Sequence, residues 1–176
     1  MELSKINSLV ELFFEKYKEK DSNPHLPFLK WLKPDKDNFL TWGQVEHNIR
    51  ILTEYLERDI SLGDRCVLLS ENRPEWLIAD ISIMNAGGIT VPLFTTYSEK
   101  DYEYILNDCK PKICIISNNI QLKKIEKLIP KETKIISIEN FSEKIESVEN
   151  ILNKYFKQDI NLSAKEEYNK KIKRED

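Results

Sequence analysis

Between Asp64 and Ile138 the chain repeats one unit, a short apolar run followed by a stretch of helical length. The runs are Cys66-Val-Leu-Leu-Ser70, Ile89-Thr-Val-Pro-Leu-Phe94, Ile113-Cys-Ile-Ile-Ser117 and Lys134-Ile-Ile-Ser-Ile138. A strand that is apolar at every position has no polar face to give to water, so it belongs inside a sheet covered on both sides. Such strands separated by helices form βαβ units, whose crossovers make neighbouring strands parallel. The expected fold class is α/β, a parallel sheet with flanking helices.

Local signals between the runs agree with that reading. Asn72-Arg-Pro-Glu75 starts a helix, with proline suited to its first turn. The helix from Glu75 to Ala86 is apolar around most of its circumference and belongs between layers; Trp76, Leu77, Ile81 and Met84 are its expected deepest positions. Gly87-Gly88 stops it, because glycine adopts the left-handed conformation freely. Pro92 cannot donate to a ladder and marks its run as an edge, a bulge or an early end. Ser98 caps a helix reaching Asp108 that bears Tyr102, Ile105, Leu106 and Cys109, and Gln121 to Ile129 gives a shorter one.

The flanks read differently. Leu3 to Lys20 is an amphipathic helix with Leu3, Ile6, Val10, Phe13 and Tyr17 on its stripe. Its polar face mixes both charges, which suits packing on a domain better than a lipid surface. Pro27 to Trp42 reads as a hairpin around Pro34-Asp-Lys-Asp-Asn38, and Thr41-Trp-Gly-Gln44 has the form of a capping box. The helix that follows carries Val45, Ile49, Leu52 and Leu56 on one face and leaves His47 toward solvent. Beyond Asn140, Ile145, Val148, Leu152 and Tyr155 form one more helical stripe, and Ser163 to Asp176 is almost all charge, a solvated or frayed helix. The expected organisation is a helix and linker over residues 1–27, an α/β domain over 28–140 and a charged helical tail over 141–176.

Composition removes several classes of function. Lys and Arg number 27 against 30 Asp and Glu, a formal charge of −3, so there is no basic footprint for nucleic acid. No apolar run approaches the ~20 residues of a membrane span. Met1-Glu-Leu-Ser-Lys5 lacks the layout of a signal peptide, so a cytoplasmic protein is expected, with peripheral membrane association left open. Cys66, Cys109 and Cys114 include no CxxC pair and read as reduced core thiols. The four glycines, Gly43, Gly63, Gly87 and Gly88, match neither GxGxxG nor GxxxxGK[ST], so no loop here has the glycines to cradle phosphates. Two histidines, His25 and His47, and no Cys/His cluster speak against zinc.

Ligands on open α/β sheets bind beyond the carboxyl ends of the strands. Those ends are Ser70-Glu-Asn-Arg73, Phe94-Thr-Thr-Tyr97 and Ser117-Asn-Asn119. Arg73 has the geometry to clamp a carboxylate or phosphate, but pairing with Glu71 or Glu75 is the commoner fate of such an arginine. Thr95, Thr96 and Ser98 serve equally as pocket lining or as loop and cap residues. Asp80, one carboxylate in an apolar helix, is expected at that helix's exposed edge. These residues alone assign no catalytic, cofactor-binding or metal-binding position.

Resemblance goes further. Gly63-Asp-Arg-Cys-Val-Leu-Leu-Ser-Glu-Asn-Arg-Pro-Glu-Trp76, then Asp80 and Met84-Asn-Ala-Gly-Gly-Ile-Thr-Val-Pro-Leu-Phe-Thr-Thr-Tyr-Ser98, resembles the N-terminal region of AMP-forming acyl-CoA synthetases, the long-chain fatty acid CoA ligase branch above all. Leu40-Thr-Trp-Gly-Gln44 upstream, and Tyr104-Ile-Leu-Asn-Asp-Cys109 with Lys112-Ile-Cys-Ile-Ile-Ser-Asn118 downstream, are similar to the same family in the same order. The resemblance runs from about Phe28 to Asn140. It implies an enzyme that activates a long-chain fatty acid with ATP and Mg²⁺ to an acyl-adenylate and passes the acyl group to coenzyme A. The family's phosphate loop, ending Pro-Lys-Gly, its adenine and ribose motifs and its catalytic lysine lie downstream of the residues seen here. The segment Lys170-Lys-Ile-Lys-Arg-Glu-Asp176 is similar to the stretch just before that loop. The resemblance therefore carries over no catalytic residue.

Two functions follow as expectations. One is the N-terminal part of a long-chain fatty acid CoA ligase, inactive by itself, with the remainder of the ligase as its partner. The other is a stand-alone, non-catalytic α/β module that binds a partner or a small acid.

Overall fold

The computed structural model describes residues 6–20, 23–33 and 36–156. Four parallel strands, β3 (Arg65–Leu69), β4 (Ile89–Leu93), β5 (Ile113–Ile116) and β6 (Lys134–Ser137), form a sheet in the order β4-β3-β5-β6. Their centres coincide with the four apolar runs, each bounded within a residue or so of the expected ends. β4 is an edge strand, where the missing N–H of Pro92 is tolerated. Ahead of the sheet, β1 (Pro27–Lys33) and β2 (Lys36–Thr41) pair antiparallel as a separate hairpin.

Alternate residues of each strand face two different cores. Cys66, Leu68, Ile113, Ile115 and Ile136 look toward α2 (Trp42–Leu56), α3 (Pro74–Asn85) and α6 (Val148–Phe156). Val67, Leu69, Cys114 and Ile116 look toward α4 (Glu99–Cys109) and α5 (Asn119–Ile125). Both faces are covered, which is why the strands are apolar throughout. The central strands β3 and β5 are almost wholly buried from Cys66 to Leu69 and from Ile113 to Ile116.

The caps form as their residue types dictate. The Thr41 hydroxyl accepts from the Gln44 N–H at 3.2 Å while the Gln44 amide oxygen accepts from the Thr41 N–H at 2.9 Å. Ser98 and Asp101 build the same reciprocal box at the start of α4. Gly87 takes φ 92°, ending α3 in the left-handed region.

Several expectations shift. The first helix, α1, spans Leu9–Lys20 and does not begin at Leu3: the Ser8 hydroxyl accepts from the Glu11 N–H at 3.1 Å and so sets the start one residue later. Residues 1–5, the hairpin turn at 34–35 and the charged end from 157 onward lie outside the described residues. On α3 the buried positions are Ile78, Ala79, Ile81, Ser82, Ile83 and Asn85; Ile81 is as expected, whereas Trp76, Leu77 and Met84 are only half-buried. An all-round apolar helix has no stripe to mark which side meets the sheet, so its periodicity could not choose. Polar contacts locate the α2–α3 seam: the Ser82 hydroxyl lies 3.2 Å from the Ile49 carbonyl and the Asn85 amide donates to the Thr53 hydroxyl at 3.2 Å. His47 is half-buried and does not point freely into solvent.

α1 lies outside the α2–α3 layer. Phe13 is the anchor, 5.8 Å from the Trp42 ring and 5.9 Å from Phe28, which itself stacks on Trp42 at 3.8 Å. Val10 and Phe14 are buried beside it. The helix and the hairpin thus extend the main core; they do not form a separate body.

Candidate functional site

The strand order places a topological switch between β3 and β5. β3 leads into α3 on one face of the sheet and β5 leads into α5 on the other, so a crevice opens beyond their carboxyl ends. Ser70, Glu71, Asn72 and Arg73 approach it from β3, and Ser117, Asn118 and Gln121 from β5. Glu139, just past β6, comes to the same rim: its N–H donates to the Ser117 carbonyl at 3.0 Å.

The charged groups of this crevice are committed to one another, whereas the buried Ser117 hydroxyl oxygen and Gln121 amide oxygen have no hydrogen-bond partner among the described residues. Arg73 donates to Glu75 at 2.8 Å and to Glu139 at 2.7 Å. Burial would lower its pKa, but these two carboxylates outweigh burial and hold the guanidinium firmly charged. The Gln121 amide donates to Glu71 at 2.6 Å. Burial would push the Glu71 carboxyl up, yet the Ser117 hydroxyl, the Gln121 amide and the Arg73 charge together hold it below the ordinary glutamate value. Asn118 caps α5 through its side-chain oxygen, 2.9 Å from the Ile120 N–H. A triphosphate brought here would meet three carboxylates, Glu71, Glu75 and Glu139, and an arginine already engaged, so these residues do not fit a nucleotide phosphate site. Among the described residues no group of three His, Cys, Asp or Glu side chains is placed to hold a metal ion.

The other polar candidates also have structural roles. Ser98 is the α4 cap. The Thr95 carbonyl accepts from Lys124 at 2.6 Å, tying the loop after β4 to α5. The pairing of Arg73 with Glu75 was expected; its reach to Glu139, and the bond between Glu71 and Gln121, were not. Those partners are 66 and 50 residues apart, and no spacing in the sequence joins them.

A second feature lies on the outer side of α3. A hollow of about 540 Å³ is lined by Leu9, Trp76, Met84, Ile89 and Pro92, with Asp80 in its wall. A smaller hollow of about 250 Å³ under α1 shares Leu9, Asp80 and Met84 with it. Together they make an apolar groove between α1, α3 and β4. Asp80 was expected at an exposed helix edge; it is half-buried in this groove, and burial raises its carboxyl pKa against a smaller opposing effect of the Thr90 hydroxyl. Of the four positions expected to lie deepest on α3, Ile81 is buried, while Trp76, Leu77 and Met84 are half-buried along this groove.

The sequence pattern of the AMP-binding enzymes matches residues 17–176. The chain belongs to the AMP-binding enzyme family. Among curated members of the family it is 26% identical over 113 residues to the long-chain-fatty-acid–CoA ligase ACSBG1 of Rattus norvegicus, a match covering 64% of this chain and 16% of that protein. It is 37% identical over 70 residues to the long-chain-fatty-acid–CoA ligase ACSBG2 of Xenopus laevis, covering 40% of this chain and 9% of that one. The matched segments are therefore a minor part of the length of these family members. Solved structures of similar fold include the anthranilate CoA ligase AuaEII in complex with anthranoyl-AMP, at TM-score 0.68 and 20% identity over 88% of this chain and 29% of that one. Another is a luciferase-like enzyme from the mealworm Zophobas morio, at TM-score 0.69 and 21% identity over 86% of this chain and 35% of that one. Among the described residues no helix is long and apolar enough to cross a membrane.

Proposed function

We propose that this chain is the N-terminal part of an AMP-forming long-chain fatty acid CoA ligase and that residues 1–176 alone do not catalyse the reaction. The family match over residues 17–176 carries the reading, and the long-chain-fatty-acid–CoA ligases among its relatives favour the acyl substrate. In the complete enzyme ATP and Mg²⁺ would supply the adenylate and coenzyme A the accepting thiol. Adenylation depends on donors and cations preorganised around the developing phosphate charge. In the described crevice the arginine is neutralised by Glu75 and Glu139, so it has no free charge for that work. What these residues do is build the sheet and fix its carboxyl edge.

Two measurements test the reading. Purified chain given ATP, Mg²⁺, coenzyme A and a long-chain fatty acid is expected to form no acyl-CoA and to show no fatty-acid-dependent ATP–pyrophosphate exchange. The DNA beyond codon 176 is expected to encode, in some frame, a Ser/Thr/Gly-rich loop ending Pro-Lys-Gly. Exchange activity in the chain alone would overturn the first half of the reading, and unrelated downstream sequence would favour the stand-alone module.

A further inference from the structure

The crevice beyond β3 and β5 holds two polar atoms that the described chain leaves unmet. Ser117 is 0% exposed and Gln121 5%, and the Ser117 hydroxyl oxygen and Gln121 amide oxygen have no hydrogen-bond partner among the described residues. A buried polar atom without a partner has given up water for nothing, so such atoms point to a bound species. Both residues are held in place by other bonds. The Ser117 N–H donates to the Leu69 carbonyl at 2.9 Å, and the Gln121 N–H donates to the Asn118 side-chain oxygen at 3.2 Å. The Gln121 amide nitrogen donates to the Glu71 carboxylate at 2.6 Å. That bond orients the amide: with nitrogen on the carboxylate, the end left over is an acceptor. Ser117 also acts on Glu71, helping to hold its carboxyl below the ordinary glutamate value.

The charge around these atoms is negative. Glu71, Glu75 and Glu139 face one guanidinium, that of Arg73, which bonds Glu75 and Glu139; Glu71 forms no ion pair with any described residue. A water molecule would satisfy the two oxygens and leave this excess untouched. A divalent ion is bound through six or more oxygens, several of them carboxylate. Here Glu71 is the one carboxylate of the crevice not paired with Arg73, and no three-acid cluster exists among the described residues. One carboxylate and two neutral oxygens suit a single positive charge. We propose that Glu71, Ser117 and Gln121 form a site for one alkali-metal cation, Na⁺ or K⁺, which ties the loop after β3 to the start of α5. The site stands apart from the ligase reading and holds whether or not the chain catalyses anything.

The test melts the purified chain while NaCl or KCl replaces tetramethylammonium chloride at constant ionic strength. Tetramethylammonium carries the same charge but is too bulky to sit among oxygens. Na⁺ or K⁺ is expected to raise the melting temperature by about 3–5 °C for each tenfold rise above its dissociation constant. Glu71→Gln is expected to abolish that rise and Ser117→Ala to shrink it. Equal melts in all three salts would overturn the proposal and leave at most a water in the crevice. A rise that Glu71→Gln retains, or a larger one with Mg²⁺ or Ca²⁺, would overturn it too. Amide NMR of the wild-type chain, titrated with the same salts, needs no variant to fold. Saturating shifts at the Ser117 N–H and the Gln121 side-chain amide support the site, and shifts confined to other residues reject it.

Discussion

Arg73 reaches across the carboxyl edge of the sheet to Glu139, its Nη1 2.7 Å from the carboxylate, spanning from the loop after β3 over β5 to the loop after β6. The contact pins two connections that have no backbone bond to each other. Because Glu139 is half exposed, the pair is a surface ion pair and contributes modestly. A double-mutant cycle of Arg73→Ala and Glu139→Ala in denaturant unfolding should give a coupling below about 1 kcal/mol. That coupling should shrink further in 1 M salt. A larger, salt-independent value would mean that Arg73 is held by something other than this pairing.

Asp80 should cost the isolated chain stability. Its folded pKa is raised by burial, so the folded state holds the proton where the unfolded state has released it. Stability attributable to Asp80 therefore falls as pH rises from the ordinary aspartate value through the raised one, and stays lower above it. Asp80→Asn removes that loss and should stabilise the chain at neutral pH by less than about 1 kcal/mol at this half-exposed site, seen as a higher melting temperature. Melting curves of both proteins between pH 3 and pH 7 should converge toward the acid end. Curves that run parallel would show that the carboxyl does not feel burial.

The two sides of α3 should respond differently to truncation. Ile78 is 1% exposed between the sheet and α2, so Ile78→Ala should cost about 2–5 kcal/mol. Leu77, on the groove side, is half-buried and should cost clearly less in the same urea titration. A reversed order would mean that Leu77 is packed more deeply than Ile78.

Gly88 is needed for want of space. A Cβ there would stand 3.0 Å from Ile83 Cγ2 and 3.2 Å from the Ile83 carbonyl oxygen. Gly88→Ala should therefore destabilise by about 1–3 kcal/mol, the usual cost of overpacking. Chemical unfolding of that variant against wild type is the check.

The three thiols should report on unfolding. Cys66 is fully buried and burial pushes its pKa up to about 12. Burial raises Cys114 and Cys109 as well. Thiolate is the reactive form, so a thiol reagent at pH 8 should find little to react with in the folded chain. Denaturant should release 3 reactive thiols. Rapid reaction of any one in native buffer would place it at the surface.

Periodicity and punctuation were enough for the elements themselves. Strand runs such as Ile113 to Ile116, apolar at every position, can exist only with both faces covered, and capping residues such as Thr41 and Ser98 carry their own hydrogen-bond instructions. Pro92 narrowed its run to an edge, a bulge or an early end because it has no N–H to give a ladder, and the strand order made it the edge. The ordered segments from Leu40 to Asn118 also made the family legible. Tertiary structure alone decided the rest. Which side of α3 meets the sheet is invisible in a helix that is apolar all round, and only packing against Ile49 and Thr53 of α2 settles it. Asp80 reads locally as a surface carboxylate and becomes half-buried because α1 closes over one side of it. The Glu71–Gln121 and Arg73–Glu139 contacts join residues far apart in the chain, which become neighbours when the β4-β3-β5-β6 order brings the strand ends together. Local residue type sets what a segment can form; the partners it meets are fixed by chain topology, which no single segment encodes.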